Sequence, residues 1–164
     1  MKRVFIIAEA GVNHNGSLEI AKKMIDCAVQ CQVDAIKFQT FQADSLVSPF
    51  APKAEYQKKL TNHRETQLKM LKAYQLDKHA HRQLMKYCKK RKILFISSPF
   101  DLPSINLLND LGLPILKIPS GEINRQRIFM HPNSHRQIVL ETGGSWRSHV
   151  HVLLEMNQLR IYGL

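Results

Sequence analysis

The sequence predicts an α/β protein built on a parallel sheet, and three observations carry that expectation. Short apolar runs rich in β-branched residues recur along the chain, amphipathic stretches separate them, and polar residues gather where the runs end. Strands alternating with helices form right-handed βαβ units. In such folds the ligand sits at the carboxyl ends of the strands.

The first strand is read at Val4-Phe5-Ile6-Ile7-Ala8, too short for a helix and apolar throughout, as expected of a strand buried on both faces. A polar loop runs from Gly11 to Gly16. Ser17 is placed to cap a helix in which Leu18, Ala21, Met24, Ile25 and Ala28 share one face. The second strand is expected over 33–40. Residues 41–64 contain Pro49 and Pro52 among many polar residues and read as a long loop with one helical turn. A short helix over 65–73 follows, then a longer one capped by Asp77 and running to about Arg91. The third strand, 93–98, ends before Pro99. A helix over 103–111 tolerates Pro103 in its first turn. The fourth strand spans 115–118 and stops at Pro119, the fifth spans 137–142, and residues 147–158 are read as a final helix.

The chain has 164 residues, 44% apolar and 23% charged, which fits one globular domain rather than a disordered chain. No run approaches the ~18 apolar residues of a membrane span. The apolar run after Lys2 and Arg3 stops at Glu9, too soon for a secretory leader, so a cytoplasmic location is expected. Cys27, Cys31 and Cys88 make no disulfide framework and are read as reduced, partly buried thiols. The net charge of +11 admits a nucleic-acid partner or an anionic substrate. Aromatic residues are sparse between the basic ones, and Lys89, Lys90 and Lys92 read as a solvated helix face, which disfavours nucleic acid. All fifteen lysines precede residue 125, whereas the last forty residues hold five of nine arginines and only two acids, Glu141 and Glu155.

Polar groups at the strand ends suggest a site: Glu9, Lys37 and Gln39, Ser97 and Ser98, then Lys117, Ser120 and Glu122. Lys37 and Lys117 each interrupt an apolar strand. Two such ammonium groups beside small hydroxyls suit phosphate or carboxylate. Glu9 follows an apolar strand, where an unpaired charge is costly. Either Lys37 neutralises it, or it acts as a general base or ligand contact. His14 is read as a loop hydrogen-bonding residue, and His63, His79 and His81 as loop or exposed-helix residues without chemistry. Neither a GxGxxG nor a GxxxxGK[ST] loop follows the first strand, which disfavours a nucleotide fold.

The segment Ile6-Ile7-Ala8-Glu9-Ala10-Gly11-Val12-Asn13-His14-Asn15-Gly16 closely resembles the opening motif of the sialic acid synthase family. The resemblance continues through Asp34-Ala35-Ile36-Lys37-Phe38-Gln39-Thr40-Phe41, Phe95-Ile96-Ser97-Ser98-Pro99-Phe100-Asp101, and the run from Leu113 to Glu122. It implies a partial TIM (β/α)8 barrel, truncated after about five of eight βα units. It also implies condensation of phosphoenolpyruvate with an N-acetylated amino sugar (an N-acetylhexosamine) to a nonulosonic acid such as N-acetylneuraminic, legionaminic or pseudaminic acid. In that chemistry C3 of phosphoenolpyruvate attacks the open-chain aldehyde, water adds at C2, and phosphate leaves by C–O cleavage.

Carried over by motif, Lys37, Ser98, Lys117 and Ser120 are the phosphoenolpyruvate contacts. Glu9 is the catalytic or sugar-facing carboxylate, with Gln39 beside it. The family uses a divalent metal, Mn²⁺ or Mg²⁺, whose histidine ligands are expected beyond the end of this chain, so no residue here is assigned to metal. A homodimer is implied for the full-length family. Two departures stand out: Glu141 replaces a phosphate-site serine, and the segment from Asn124 to Arg136 lacks the family's amphipathic helix. The expected organisation is therefore a family-like part over 1–124 and a divergent or frameshifted tail over 125–164. The expected function is that of a synthase fragment, inactive by itself. The alternatives are a non-catalytic remnant or partner-binding subunit and, less favoured, a basic nucleic-acid-binding module.

Overall fold

The structure, a computed structural model, describes residues 4–48, 66–119, 137–142, 150–155 and 158–162, the last three segments through their backbone. Seven strands form one sheet in chain order: β1 (Ile7–Gly11), β2 (Ala35–Thr40), β3 (Leu94–Pro99), β4 (Ile115–Ile118), β5 (Gln137–Thr142), β6 (Val150–Glu155) and β7 (Gln158–Tyr162). The first five are mutually parallel, whereas β6 and β7 run antiparallel to their neighbours. The described helices are α1 (Leu18–Gln30), α2 (Ala43–Leu46), α3 (Gln67–Tyr74), α4 (Lys78–Arg91) and α5 (Leu102–Asp110). This is the α/β architecture on a parallel sheet that the alternating pattern predicts.

Helix starts follow the capping residues. The side chains of Ser17, Thr66, Asp77 and Asp101 each accept a hydrogen bond from a first-turn backbone N–H of α1, α3, α4 and α5, respectively. Pro103 sits in the first turn of α5, where its missing N–H costs nothing. Helix α4 ends at Lys92 in the left-handed region, φ 58°. Gly16, at φ +78°, is required for a second reason: a Cβ there would lie 2.1 Å from the carbonyl oxygen of Ala73, so any side chain would force the β1–α1 loop off α3.

Two expectations are corrected. The first strand begins at Ile7 rather than Val4, and Val4, Phe5 and Ile6 are exposed. Pairing starts where the Ile6 carbonyl accepts from the backbone N–H groups of Asp34 and Ala35. The strand is not buried on both faces, and only Ala10 within it is fully buried. It is an outer strand of the sheet, with β2 as its one strand neighbour among the described residues. The helix expected over 147–158 is instead strand β6 and the start of β7. The run Val150-His151-Val152-Leu153-Leu154 is short enough to read either way. Pairing with β5 (Val139 opposite Leu153, Leu140 opposite Val152) and a two-residue separation from β7 decide for a hairpin.

Paired residues on adjacent strands point to the same side, so the register sorts the sheet into two faces. Ile36, Phe38, Phe95 and Leu116 face the helices and pack with Ala21, Ile25 and Ala28 of α1, Leu84 and Cys88 of α4, and Leu108 of α5. Burial pushes the Cys88 thiol up to about 12, so it serves as an apolar filler. Cys27 and Cys31 are exposed rather than partly buried. Lys37, Gln39, Ile96, Ser98 and Lys117 occupy the opposite face.

Candidate functional site

The register places Glu9 of β1 beside Lys37 of β2. Lys117 of β4 reaches the same carboxylate from across β3. Lys37 Nζ lies 2.5 Å from Glu9 Oε2, and Lys117 Nζ donates to Glu9 Oε1 at 3.5 Å. Both lysine side chains are only 4% exposed, whereas that of Glu9 is 55% exposed. Two desolvated ammonium groups thus converge on one carboxylate at the solvent edge. A buried ammonium group without a counter-charge is costly, so this face is built for negative charge.

Gln39 and Ser98 are register partners one step further along the same face. The Gln39 amide lies against Gly11, 3.9 Å from where that residue's Cβ would stand. The Ser98 hydroxyl is buried and has no hydrogen-bond partner among the described residues, a donor held in reserve. Of the six residues singled out from sequence, Glu9, Lys37, Gln39, Ser98 and Lys117 share this face. Ser120 lies outside the described residues, as do Glu122 and His63. For the divalent metal the resemblance implies, the described residues contain no group of three or more His, Cys, Asp or Glu placed to ligate it. Glu9, the one carboxylate of the site among the described residues, is engaged by lysines, so those residues do not fit a metal.

Behind the site, on the helix-facing side, lies a polar network that pattern reading passed over. His81, expected on an exposed helix or loop, is fully buried. Its Nδ1 is 2.8 Å from the Asp77 carbonyl, which can only accept, so the ring carries its proton there. Nε2 then accepts from the Thr40 hydroxyl at 2.8 Å, and Thr40 Oγ1 accepts from Ser97 at 2.6 Å. Thr40 and Ser97 directly adjoin Gln39 and Ser98, so the network ties the site ends of β2 and β3 to the start of α4. The signal was present in the sequence: His81 falls on the same helical stripe as Leu84 and Cys88.

His14 forms the loop hydrogen bond expected of it, Nδ1 accepting from the Gly16 N–H at 3.0 Å. Its rings and those of Phe38, Phe95 and His81 follow one another at centroid distances of 5.9, 5.3 and 6.3 Å.

Both buried histidines are held below the ordinary imidazole value of 6.5. For His14 desolvation leads, followed by the nearby His81; for His81 desolvation outweighs the opposing pull of the Asp77 carbonyl and carboxylate. The unfolded chain therefore binds more protons than the folded one once the pH drops below about 6.5. Their contribution is complete above that value and is lost as the pH falls toward the folded-state values. The urea midpoint is expected to fall between about pH 7.5 and about pH 5. His14→Gln should make that fall shallower, and an equally steep fall in the variant would exclude His14 as a contributor.

Comparison with known proteins places this geometry in context. The NeuB family pattern matches residues 24–159. The N,N'-diacetyllegionaminic acid synthase of Campylobacter jejuni is 49% identical over 144 residues, covering 87% of this chain and 43% of that synthase. Human N-acetylneuraminate-9-phosphate synthase is 32% identical over 126 residues, covering 73% and 33%. The crystal structure of the N-acetylneuraminic acid synthetase of Leptospira borgpetersenii, in complex with citrate, superposes with a TM-score of 0.73 at 31% identity, over 89% of this chain and 47% of that one. The chain spans less than half the length of each of these relatives. Its matched span and these identities establish that it belongs to the NeuB family, the family of the sialic acid synthases whose motifs it carries.

Proposed function

We propose that the chain is part of a synthase that joins phosphoenolpyruvate to an N-acetylated amino sugar, forming a nonulosonic acid and releasing phosphate. The observation that carries this reading is the convergence of two buried ammonium groups, Lys37 and Lys117, on one point of the sheet face. A small polyanion needs paired cations in a desolvated setting, where their attraction exceeds that of surface lysines. Lys37 and Lys117 hold the phosphoenolpyruvate anion, and Ser98, whose hydroxyl has no hydrogen-bond partner among the described residues, donates to it. Ser120, outside the described residues, is assigned to the same anion by its motif. Gln39 and Glu9 face the sugar. As C3 attacks the aldehyde carbon, the C2–C3 π electrons form the new C–C bond, the aldehyde oxygen becomes anionic and takes up a proton, water adds at the electron-poor C2, and the C2–O bond to phosphate then breaks. The lysine charges stabilise that oxygen and the departing phosphate. The divalent ion the family uses, Mn²⁺ or Mg²⁺, would take its ligands elsewhere in a complete synthase.

In this reading β1 to β5 are the opening strands of a (β/α)8 barrel, and the reaction takes place in the cytoplasm. A division near residue 124 is supported by the lysine-free composition beyond it and by the antiparallel β6 and β7, although the family match extends to residue 159. Lys89, Lys90 and Lys92 are exposed on and beyond the end of α4, away from the paired lysines, which favours the small anion over nucleic acid. The test is calorimetric titration of the chain with phosphoenolpyruvate, followed by a phosphate-release assay with N-acetylmannosamine and Mn²⁺. Saturable binding of phosphoenolpyruvate is expected. Absence of binding, together with salt-sensitive binding of RNA, would overturn the reading.

A further inference from the structure

We propose that the buried Thr40–Ser97 bridge, aimed by His81, positions the anion site from behind the sheet, through the backbone that carries Ser98 and Gln39. The inference rests on the reading of the opposite face as an anion site and adds what holds two of its contacts in place. The chain of bonds runs in one direction. The Asp77 carbonyl accepts from His81 Nδ1–H at 2.8 Å, so Nε2 is the acceptor nitrogen. Thr40 therefore donates to Nε2 at 2.8 Å and takes its own bond from Ser97, at 2.6 Å. The direction of both hydroxyls is thus dictated from the first turn of α4. All three side chains are 1% exposed or less, where an unmade bond is costly.

The bridge is diagonal. In register, Thr40 stands opposite Pro99 and Ser97 opposite Phe38. Between those two pairs lie Gln39 and Ser98, partners of each other and turned to the site face. The backbone is held at the same place, where the Thr40 carbonyl accepts from the Phe100 N–H at 3.1 Å. Ser98 needs such support. Its hydroxyl is buried and has no hydrogen-bond partner among the described residues, so among those residues nothing on its own face fixes its direction. The network sets where that hydroxyl stands when an anion arrives. Because the bridge is formed before binding, the anion does not have to order the strand ends. Thr40 and Ser97 are therefore positioning residues that do not touch the ligand.

Ser97→Ala is the mildest cut: it removes the bridge, yet Thr40 still donates to His81. Thr40→Val, close in shape, removes both bonds, whereas Thr40→Ser keeps the hydroxyl. The experiment titrates the chain and these variants with phosphoenolpyruvate, each also in a Ser98→Ala background, well below every urea midpoint. Thr40→Val should bind about tenfold more weakly and Ser97→Ala about threefold, the scale of one lost hydrogen bond or less. Thr40→Ser should stay within about twofold of the parent, because its bridge survives. Ser98→Ala should itself weaken binding, and on that background Thr40→Val and Ser97→Ala should each add less than about a further twofold. General loosening of the fold would instead multiply the Ser98→Ala loss by the same factor as in the parent. Ser97→Ala carries the comparison if Thr40→Val does not fold.

Full losses on the Ser98→Ala background, parent-like affinity in Ser97→Ala, or a loss in Thr40→Ser as large as in Thr40→Val overturns the positioning role and leaves the two-lysine site standing. Parent-like affinity in Ser98→Ala overturns it too, by removing the contact through which the bridge acts. Absence of phosphoenolpyruvate binding by the parent chain overturns the anion reading itself, and this inference with it.

Discussion

Lys117→Met is expected to weaken phosphoenolpyruvate binding by about ten- to a hundredfold, as is Lys37→Met, the loss corresponding to one charge-assisted hydrogen bond of ~1.5–3 kcal/mol. The effect is large because each lysine is nearly inaccessible and the carboxylate of Glu9 lies between them. With one ammonium group gone, the remaining one still faces the Glu9 carboxylate, and the anion loses one of its two described cations. Methionine is unbranched and one heavy atom shorter than lysine, so packing along the stem is largely preserved. Removing one partner of a buried ion pair destabilises when the other charge is left uncompensated, but Glu9 is half-exposed and keeps the second lysine. The urea midpoints of both variants are therefore expected to lie at or modestly below that of the parent. Calorimetric titration gives the affinity, and the midpoint separates lost binding from lost folding. Equal affinity for the parent and Lys117→Met would exclude Lys117 as a ligand.

Phe38→Ala is expected to destabilise the chain by about 3–5 kcal/mol, the usual range for removing a buried aromatic side chain. Phe38 is fully buried on the helix-facing side, stacked on Phe95 at a centroid distance of 5.3 Å and an interplanar angle of 16°, with His14 at 5.9 Å. Little nearby can move in to fill the gap, because the sheet backbone on one side and α1 and α4 on the other are both hydrogen-bonded elements. A loss of this size is a large part of the ~5–15 kcal/mol that holds a typical domain together. Phe38→Leu should cost less than Phe38→Ala because it leaves a smaller cavity. Urea unfolding of the two variants provides the measurement. A loss under ~1 kcal/mol for Phe38→Ala would show that this ring does not hold the helix layer to the sheet.

Strand β4 runs from Ile115 to Ile118, the bounds its pattern implied, and α4 starts at the cap expected of Asp77. Both signals are local: a proline or a capping carboxylate acts on residues within a turn of itself. The start of β1 is not legible in the sequence, because Val4, Phe5 and Ile6 are as apolar as the residues that follow. Only the neighbour, through the bonds of Asp34 and Ala35 to the Ile6 carbonyl, marks where pairing begins. The same ambiguity holds in the tail. Val150 to Leu154 suits a helix or a strand, and hydrogen bonding to β5 makes the choice. His81 escaped notice because a histidine on a lysine-rich helix looks solvated until Thr40 and Ser97 are brought beneath it.

The residues alone determined the kind of protein: the alternation of strands and helices, the caps that start the helices, the family motifs and the two lysines placed inside apolar strands. These properties depend on side-chain type and on spacing along one chain, which a sequence displays directly. Tertiary structure decided which of those residues meet. Glu9 and Lys117 are 108 positions apart, and their contact exists because parallel pairing in register sets β1 to β4 side by side and turns the residues of each strand alternately to opposite faces. The same pairing gave Glu9 two lysines rather than one, sent Thr40 and Ser97 to the helix side, and left Gln39 and Ser98 beside the charges. Register is a property of pairs of strands, so no single stretch of sequence could have specified it.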